Sequence, residues 1–76
     1  MYTKNDFGRE LTEEIYKNFD IEIISRWAYE KYLDQARWLD NETYDAIMIV
    51  VSMIEGDEFS FTKDELLKFA SNLQNK

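Results

Sequence analysis

The most constraining feature of the sequence is the scarcity of residues that interrupt helices. The chain of 76 residues has no proline and only two glycines, Gly8 and Gly56. Because proline and glycine are the strongest local breakers of regular structure, their scarcity favours helices joined by short loops. No repeat, low-complexity tract or linker divides the sequence. We therefore expect residues 1–76 to form a single all-α domain.

Apolar residues recur at helical spacing in four segments. The first predicted helix spans residues 5–18, where Gly8 weakens the first turn. The second begins at Asp20, a favourable N-cap residue, and stops near residues 37–38. Its apolar face is wide enough to make it the candidate central helix. That face contains Ile21, Ile24, Trp27, Ala28 and Tyr32, and is widened by Tyr29, Leu33 and Ala36.

The third and fourth helices carry clear boundary signals. The third begins at residue 40 or 41 and ends at Gly56, which stands where a C-terminal cap belongs. The fourth begins at Thr62, which forms a capping box with Glu65 three residues later. Short loops favour antiparallel neighbours, so the predicted fold is a compact antiparallel four-helix bundle or a close relative.

Trp38, at the end of the second predicted helix, is open to two interpretations. It can close the end of the bundle, or it can be a partly exposed aromatic anchor of the kind enriched at protein interfaces. Tyr2, Tyr16 and Tyr29 are likewise either packing residues or anchors.

The residue types that are missing exclude several kinds of chemistry. The chain contains no cysteine and no histidine, so disulfides, thiolate metal sites and serine–histidine triads are ruled out. Adjacent carboxylates such as Glu13 and Glu14 lie on predicted surfaces, where no apolar pocket raises a pKa to a catalytic value. We therefore expect a protein that is not an enzyme and needs no cofactor or metal.

The charge balance indicates which partners are compatible. Sixteen acidic residues against nine basic ones give a net charge of −7. Such a domain repels nucleic acids and anionic membranes and attracts basic proteins, although solubility alone also accounts for negative charge. No apolar run approaches the roughly 18 residues of a membrane helix, and the first residues do not resemble a secretory signal. A cytoplasmic protein is expected.

Three stretches of the chain carry a family resemblance: residues 24–33 (ISRWAYEKYL), 53–59 (MIEGDEF) and 64–67 (DELL). In these stretches the chain resembles small bacterial immunity proteins, the antidotes of polymorphic and contact-dependent growth-inhibition toxins. The resemblance implies a cognate inhibitor that binds a toxin domain, often a nuclease with a basic active-site face, and blocks it by occupation.

An up-and-down bundle gathers many carboxylates at one end, and this end is the predicted partner-binding surface. The candidate contacts are, in order of preference, Glu55, Asp57, Glu58, Asp20 and Glu22.

Two alternatives remain open from the sequence. The first is a phage-type acidic mimic of nucleic acid that inhibits a DNA- or RNA-binding protein. The second is a structural module whose exposed aromatic residues pair with a second copy of the chain. For the inhibitor, we expect a monomer or a weak dimer when the protein is free.

Overall fold

The structure is a computed structural model that describes residues 2–56 and 60–74. Within these ranges the chain forms four α-helices and two short 3₁₀ segments. In chain order, they are α1 (Lys4–Lys17), α2 (Ile21–Gln35), the first 3₁₀ segment (Ala36–Trp38), α3 (Asn41–Val51), the second 3₁₀ segment (Ser52–Glu55) and α4 (Lys63–Leu73).

Each α-helix begins at a side chain that accepts hydrogen bonds from the first backbone N–H groups, which have no partner within the helix. Asp20 and Asp40 cap α2 and α3, as the sequence predicts. The predicted capping box at Thr62 is also confirmed: Oγ1 accepts from the Glu65 N–H at 3.1 Å, and Oε1 of Glu65 accepts from the Thr62 N–H at 2.9 Å. A second capping box, at Thr3, starts α1 one residue before the prediction.

Helices α1 and α4 pack as an antiparallel pair. The start of α1 faces the end of α4, where Gly8 lies against Ala70 and Leu73. At the other end of the pair, the Lys63 ammonium lies 5.9 Å from the centre of the Tyr16 ring.

Helices α2 and α3 form the second antiparallel pair. The Ser25 hydroxyl donates a hydrogen bond to the Val50 carbonyl at 3.2 Å, and the rings of Tyr32 and Tyr44 meet edge to face with centroids 5.7 Å apart. The Cα radius of gyration is 11.2 Å, close to the roughly 11 Å of a compact chain of this length. The fold is thus a compact, all-α antiparallel four-helix bundle, as predicted.

The two pairs are joined mainly through α1. Its Phe7 ring stacks on Trp27 of α2, with centroids 5.4 Å apart. The Tyr2 hydroxyl donates to Oε1 of Glu10 at 2.7 Å, and the same oxygen lies 3.2 Å from Nζ of Lys31. Burial and the Glu10 carboxylate raise the pKa of the Tyr2 hydroxyl far above its ordinary value, so the hydroxyl keeps its proton and donates.

Helix α1 packs on α4 and also contacts α2 and α3, whereas α2 packs mainly on α3, so the link between the two pairs that was predicted for α2 is made by α1. All three side chains predicted to widen the apolar face of α2 are instead exposed: Tyr29 by 47%, Leu33 by 57%, and also Ala36. The covered stripe of α2 is therefore narrower than its apolar sequence indicates. The buried apolar residues of the described chain are Tyr2, Phe7, Leu11, Ile15, Ile24, Ala28, Ala46, Ile47, Val50, Met53, Leu66 and Ala70.

The end of α3 also differs from the prediction. The α-helix stops at Val51, and the second 3₁₀ segment continues the helical path to Gly56. Gly56 has an extended backbone with φ of 168°, so it does not form the left-handed cap expected of a helix-terminating glycine. It ends the helical path without capping α3 itself.

Gly8 determines how closely α1 and α4 approach. A Cβ atom at this position would lie 2.6 Å from the Ala70 carbonyl oxygen and 2.9 Å from Cβ of Leu73. The sequence presented Gly8 as a weak point in the first turn. The structure shows that the absence of a side chain is what allows the two helices to pack.

Gly8→Ala is expected to lower the free energy of unfolding by about 1–3 kcal/mol, because the added methyl group forces α1 and α4 apart. This cost outweighs the gain of up to about 1 kcal/mol from the higher helix propensity of alanine. Urea unfolding followed by circular dichroism measures the difference. Ser71→Ala, on the exposed side of α4, is the control and should change stability by less than about 0.5 kcal/mol. An unchanged or more stable Gly8→Ala variant would contradict the close approach.

Asp6→Asn is expected to lower the free energy of unfolding at pH 7. It is also expected to make that free energy fall less steeply as the pH is lowered into the acid range. The Thr3 backbone N–H donates to the Asp6 carboxylate at 3.1 Å and, with further help from the Thr3 hydroxyl and Arg9, holds the pKa of Asp6 below its ordinary value of 3.8. A carboxyl with a lowered folded pKa stabilises the fold above its unfolded pKa, and this contribution disappears as the pH falls through the folded pKa.

The difference between wild type and Asp6→Asn should therefore be largest at neutral pH and shrink below a pH of about 4. Urea unfolding across a pH series measures it. Glu13→Gln removes one carboxylate from an exposed position of the same helix and serves as the control. A difference that stays constant down to acid pH would show that the Asp6 carboxylate makes no such contribution.

Candidate protein-binding surface

The structure places three of the predicted contact residues at one end of the bundle. Asp20 caps α2, Glu22 lies in the first turn of that helix, and both are exposed. Glu55, also exposed, ends the second 3₁₀ segment, which packs against α2. The other two candidates, Asp57 and Glu58, lie outside the described residues.

The carboxylates of this end differ in how far they are already engaged. Oδ1 of Asp20 accepts the backbone N–H groups of Glu22 at 2.9 Å and Ile23 at 3.3 Å, so this side chain has a role in folding. No side-chain hydrogen bond or ion pair within the described chain engages the carboxylates of Glu22 and Glu55. They are therefore better placed than Asp20 to receive a cation.

An open groove runs between the first turns of α2 and the end of the α3 region. Its volume is about 260 Å³, below the roughly 300–1,000 Å³ of pockets that enclose small ligands. At its floor, the buried Ser25 hydroxyl already donates to the Val50 carbonyl. The groove therefore suits a single large side chain of a protein better than a small molecule. Its lining residues are Glu22, Ser25, Arg26, Tyr29, Val51 and Ile54.

A row of tyrosine rings continues from the groove along the two helices. The rings of Tyr29 and Tyr32 have centroids 6.1 Å apart, and Tyr32 meets Tyr44 at 5.7 Å. Leu33 follows Tyr29 by one helical turn, on the same side of α2. We call this continuous surface the α2–α3 face. It consists of the groove together with Tyr32, Leu33 and Tyr44.

The α2–α3 face is notable because its exposed apolar side chains adjoin one another. Single exposed apolar residues are normal on protein surfaces, whereas contiguous ones mark interaction sites. On this face Ile54 is 54% exposed and Tyr44 is 43% exposed. Tyr16, which is more exposed still, lies apart from it on α1, beside Lys63 of α4.

Trp38 lies in the first 3₁₀ segment and is 61% exposed. Of the two interpretations left open by the sequence, this exposure supports the aromatic anchor and argues against a residue that closes the bundle. Trp27 shows the opposite behaviour, since it is partly buried and stacks on Phe7.

The charged residues of the groove are available to a partner. Glu22 and Arg26 lie one helical turn apart on α2 and both are exposed. Neither takes part in the ion pairs found among the described residues, which are Lys4–Glu42, Arg9–Asp6, Lys17–Glu14 and Lys31–Glu10.

The described part of the chain has neither a metal site nor a membrane-spanning helix. No group of three or more acidic side chains is arranged to hold a metal ion there. Nor is any helix in that part both long and apolar enough to cross a membrane.

Comparison with known protein families, curated proteins and solved structures finds no match to this chain.

The sequence identified the apolar half of this surface only in part. Tyr29 and Leu33 widen the predicted apolar face of α2, Tyr29 is open to either core packing or a role as an anchor, and Arg26 was not singled out. A signal is nevertheless present: Arg26, Tyr29 and Leu33 follow helical spacing, on a stripe displaced from the buried residues Ile24 and Ala28. A second apolar stripe that includes an arginine is better explained by a surface than by a core.

Ile54→Ala is expected to leave the free energy of unfolding within about 1 kcal/mol of wild type, because this side chain is already half exposed. Ile47 of α3, which is fully buried, is the comparison. Ile47→Ala should cost about 2–5 kcal/mol, since it leaves a cavity in the core. Urea unfolding measures both variants. Equal losses would mean that Ile54 is a core residue and that the groove is not a free surface.

Proposed function

We propose that this protein is an inhibitor that binds a basic protein partner, and that it acts as the immunity protein of a toxin. The proposal is supported by an exposed apolar groove that lies beside the carboxylates of Glu22 and Glu55, in a chain of net charge −7. Neither carboxylate forms an ion pair within the described chain. The apolar side chains supply contact area and the carboxylates select a basic surface.

The inhibition follows from this combination. A nuclease binds the phosphates of its substrate in a cleft lined by Lys and Arg. A domain that presents several carboxylates is drawn to such a cleft at a high rate and excludes nucleic acid while it stays bound. The inhibitor needs no catalytic group, because it works by occupation. In this proposal the protein acts in the cytoplasm, where it protects the cell that makes it.

The contacts proposed for this role are five carboxylates that the sequence predicts at one end of the bundle, here called the acidic end: Glu55, Asp57, Glu58, Asp20 and Glu22. Glu22 and Glu55 have carboxylates that are not engaged within the described chain. Glu22 also lines the groove, so an ion pair there would lie next to the apolar contact and be shielded from water.

The first test is capture of the partner followed by a growth assay. The tagged protein is incubated with lysate of the cell that encodes it, and retained proteins are identified after washes of increasing salt. We expect one basic protein whose retention falls with salt. Expression of that protein alone should stop growth, and co-expression of this chain should restore it. A retained protein that does not affect growth would contradict the immunity role, and retention of a DNA-binding protein would favour the nucleic-acid mimic.

The double variant Asp57→Lys/Glu58→Lys tests the acidic end. It should weaken binding to the captured partner by at least about tenfold, as expected when charges at an interface are reversed. The control Glu13→Lys/Asp45→Lys makes the same change in net charge at exposed positions of α1 and α3. Titration calorimetry measures both affinities. If the control weakens binding as much as the test variant, only the net charge matters and the acidic end is not the interface.

A further inference from the structure

The walls and floor of the groove determine which side chain can enter it. The walls are formed by Tyr29 of α2, Val51 of α3 and Ile54 of the second 3₁₀ segment. Between them lies the buried Ser25 hydroxyl, whose proton is donated to the Val50 carbonyl, while the charged Glu22 and Arg26 lie on the same groove. A polar side chain placed against the apolar walls would lose its water without gaining a partner there. The groove therefore favours a large apolar side chain.

The charges around the groove determine what accompanies that side chain. Glu22 lies on the rim, and Glu55 directly follows the wall residue Ile54. The opposite charge of Arg26 lies one turn further along α2. An incoming segment is therefore favoured if it carries Lys or Arg beside its apolar residue at the Glu22 end. Arg26 disfavours a cation at its own position and so fixes the direction of the segment.

A second copy of the chain does not satisfy these conditions. It would bring a further charge of −7 to the interface, so two copies repel each other as they approach. A basic protein gains from the same field that repels a second copy. Charge therefore favours a basic protein over a second copy of the chain as the occupant of the groove.

We propose that the α2–α3 groove is the docking site for a basic segment of the partner protein, which inserts one large apolar side chain between Tyr29 and Ile54 and pairs a cation with Glu22. This inference rests on the proposed function, and it moves the centre of the interface from the acidic end alone to the groove beside it.

The test uses peptides of defined origin and does not depend on the natural partner. Phage-displayed random 12-residue peptides are selected on the immobilised full chain, and the enriched peptides are synthesised. They are expected to combine a large apolar residue with Lys or Arg. Fluorescence anisotropy then gives their affinity for wild type, for Ile54→Asn and for Glu22→Lys. The expected losses are about tenfold or more for Ile54→Asn and about threefold or more for Glu22→Lys, as for anchor and rim positions.

Two matched controls share the chemistry but lie elsewhere. Ile49→Asn changes an isoleucine of similar exposure on α3 that does not line the groove, and Glu13→Lys reverses an exposed carboxylate on α1. Both should bind the peptides within about twofold of wild type. Circular dichroism confirms that every variant compared is folded. Binding that survives Ile54→Asn, or selection of acidic peptides, would overturn the proposal. A wild-type dimer that Ile54→Asn dissociates, seen by light scattering, would overturn it in favour of a second copy.

The same four variants separate this inference from the proposed function. If the captured partner binds all four as well as wild type, the inhibitor function stands and the groove is not its docking site. If the peptides behave as expected but no basic partner is captured, the groove stands as a docking site and the immunity role is wrong.

Discussion

The close approach of α1 and α4 at Gly8 is the contact on which the rest of the structure depends. It closes one helix pair tightly and leaves the other sides of α1 free to contact α2 and α3, through Phe7 and Trp27 among others. A chain of this size buries only roughly 60% of the surface that its unfolded form exposes. Its small core therefore depends on one helix, α1, that packs against each of the other three. The two helix pairs are joined through α1, whereas α2 packs mainly on α3.

This organisation explains why an apolar surface remains uncovered on α2 and α3. Helix α1 contacts both α2 and α3, while α4 packs mainly on α1. Tyr29, Leu33 and Ile54 consequently stay exposed although their residue types favour burial. Nothing in the packing of the described chain requires apolar residues at these positions, and polar ones would improve solubility. Their presence supports the proposal that a partner covers them.

Local signals explain how much of the fold was predictable. The caps Asp20, Asp40 and Thr62 act on backbone groups two or three residues away, so the sequence alone locates the helix starts. The roles of Gly8 and Tyr29 depend on which helix lies opposite, and periodicity carries no information about that. The same limit applies to the candidate site. The antiparallel topology predicted that Glu22 and Glu55 lie at one end, whereas the groove between them and the apolar row beyond it emerged only from the packing of α2 on α3.

The acidic composition can be divided between folding and binding. Asp6, Asp20, Asp40 and Glu65 accept backbone hydrogen bonds at helix starts, where the helix dipole also favours negative charge. These carboxylates are explained by the fold, and their number alone is no sign of a partner. Glu22 also lies in the first turn of α2, where the dipole favours it, but its carboxylate makes no hydrogen bond or ion pair within the described chain and lines the groove. A functional role for the negative charge is therefore supported by where the unengaged carboxylates lie, and the net value of −7 only adds to their attraction for a basic surface.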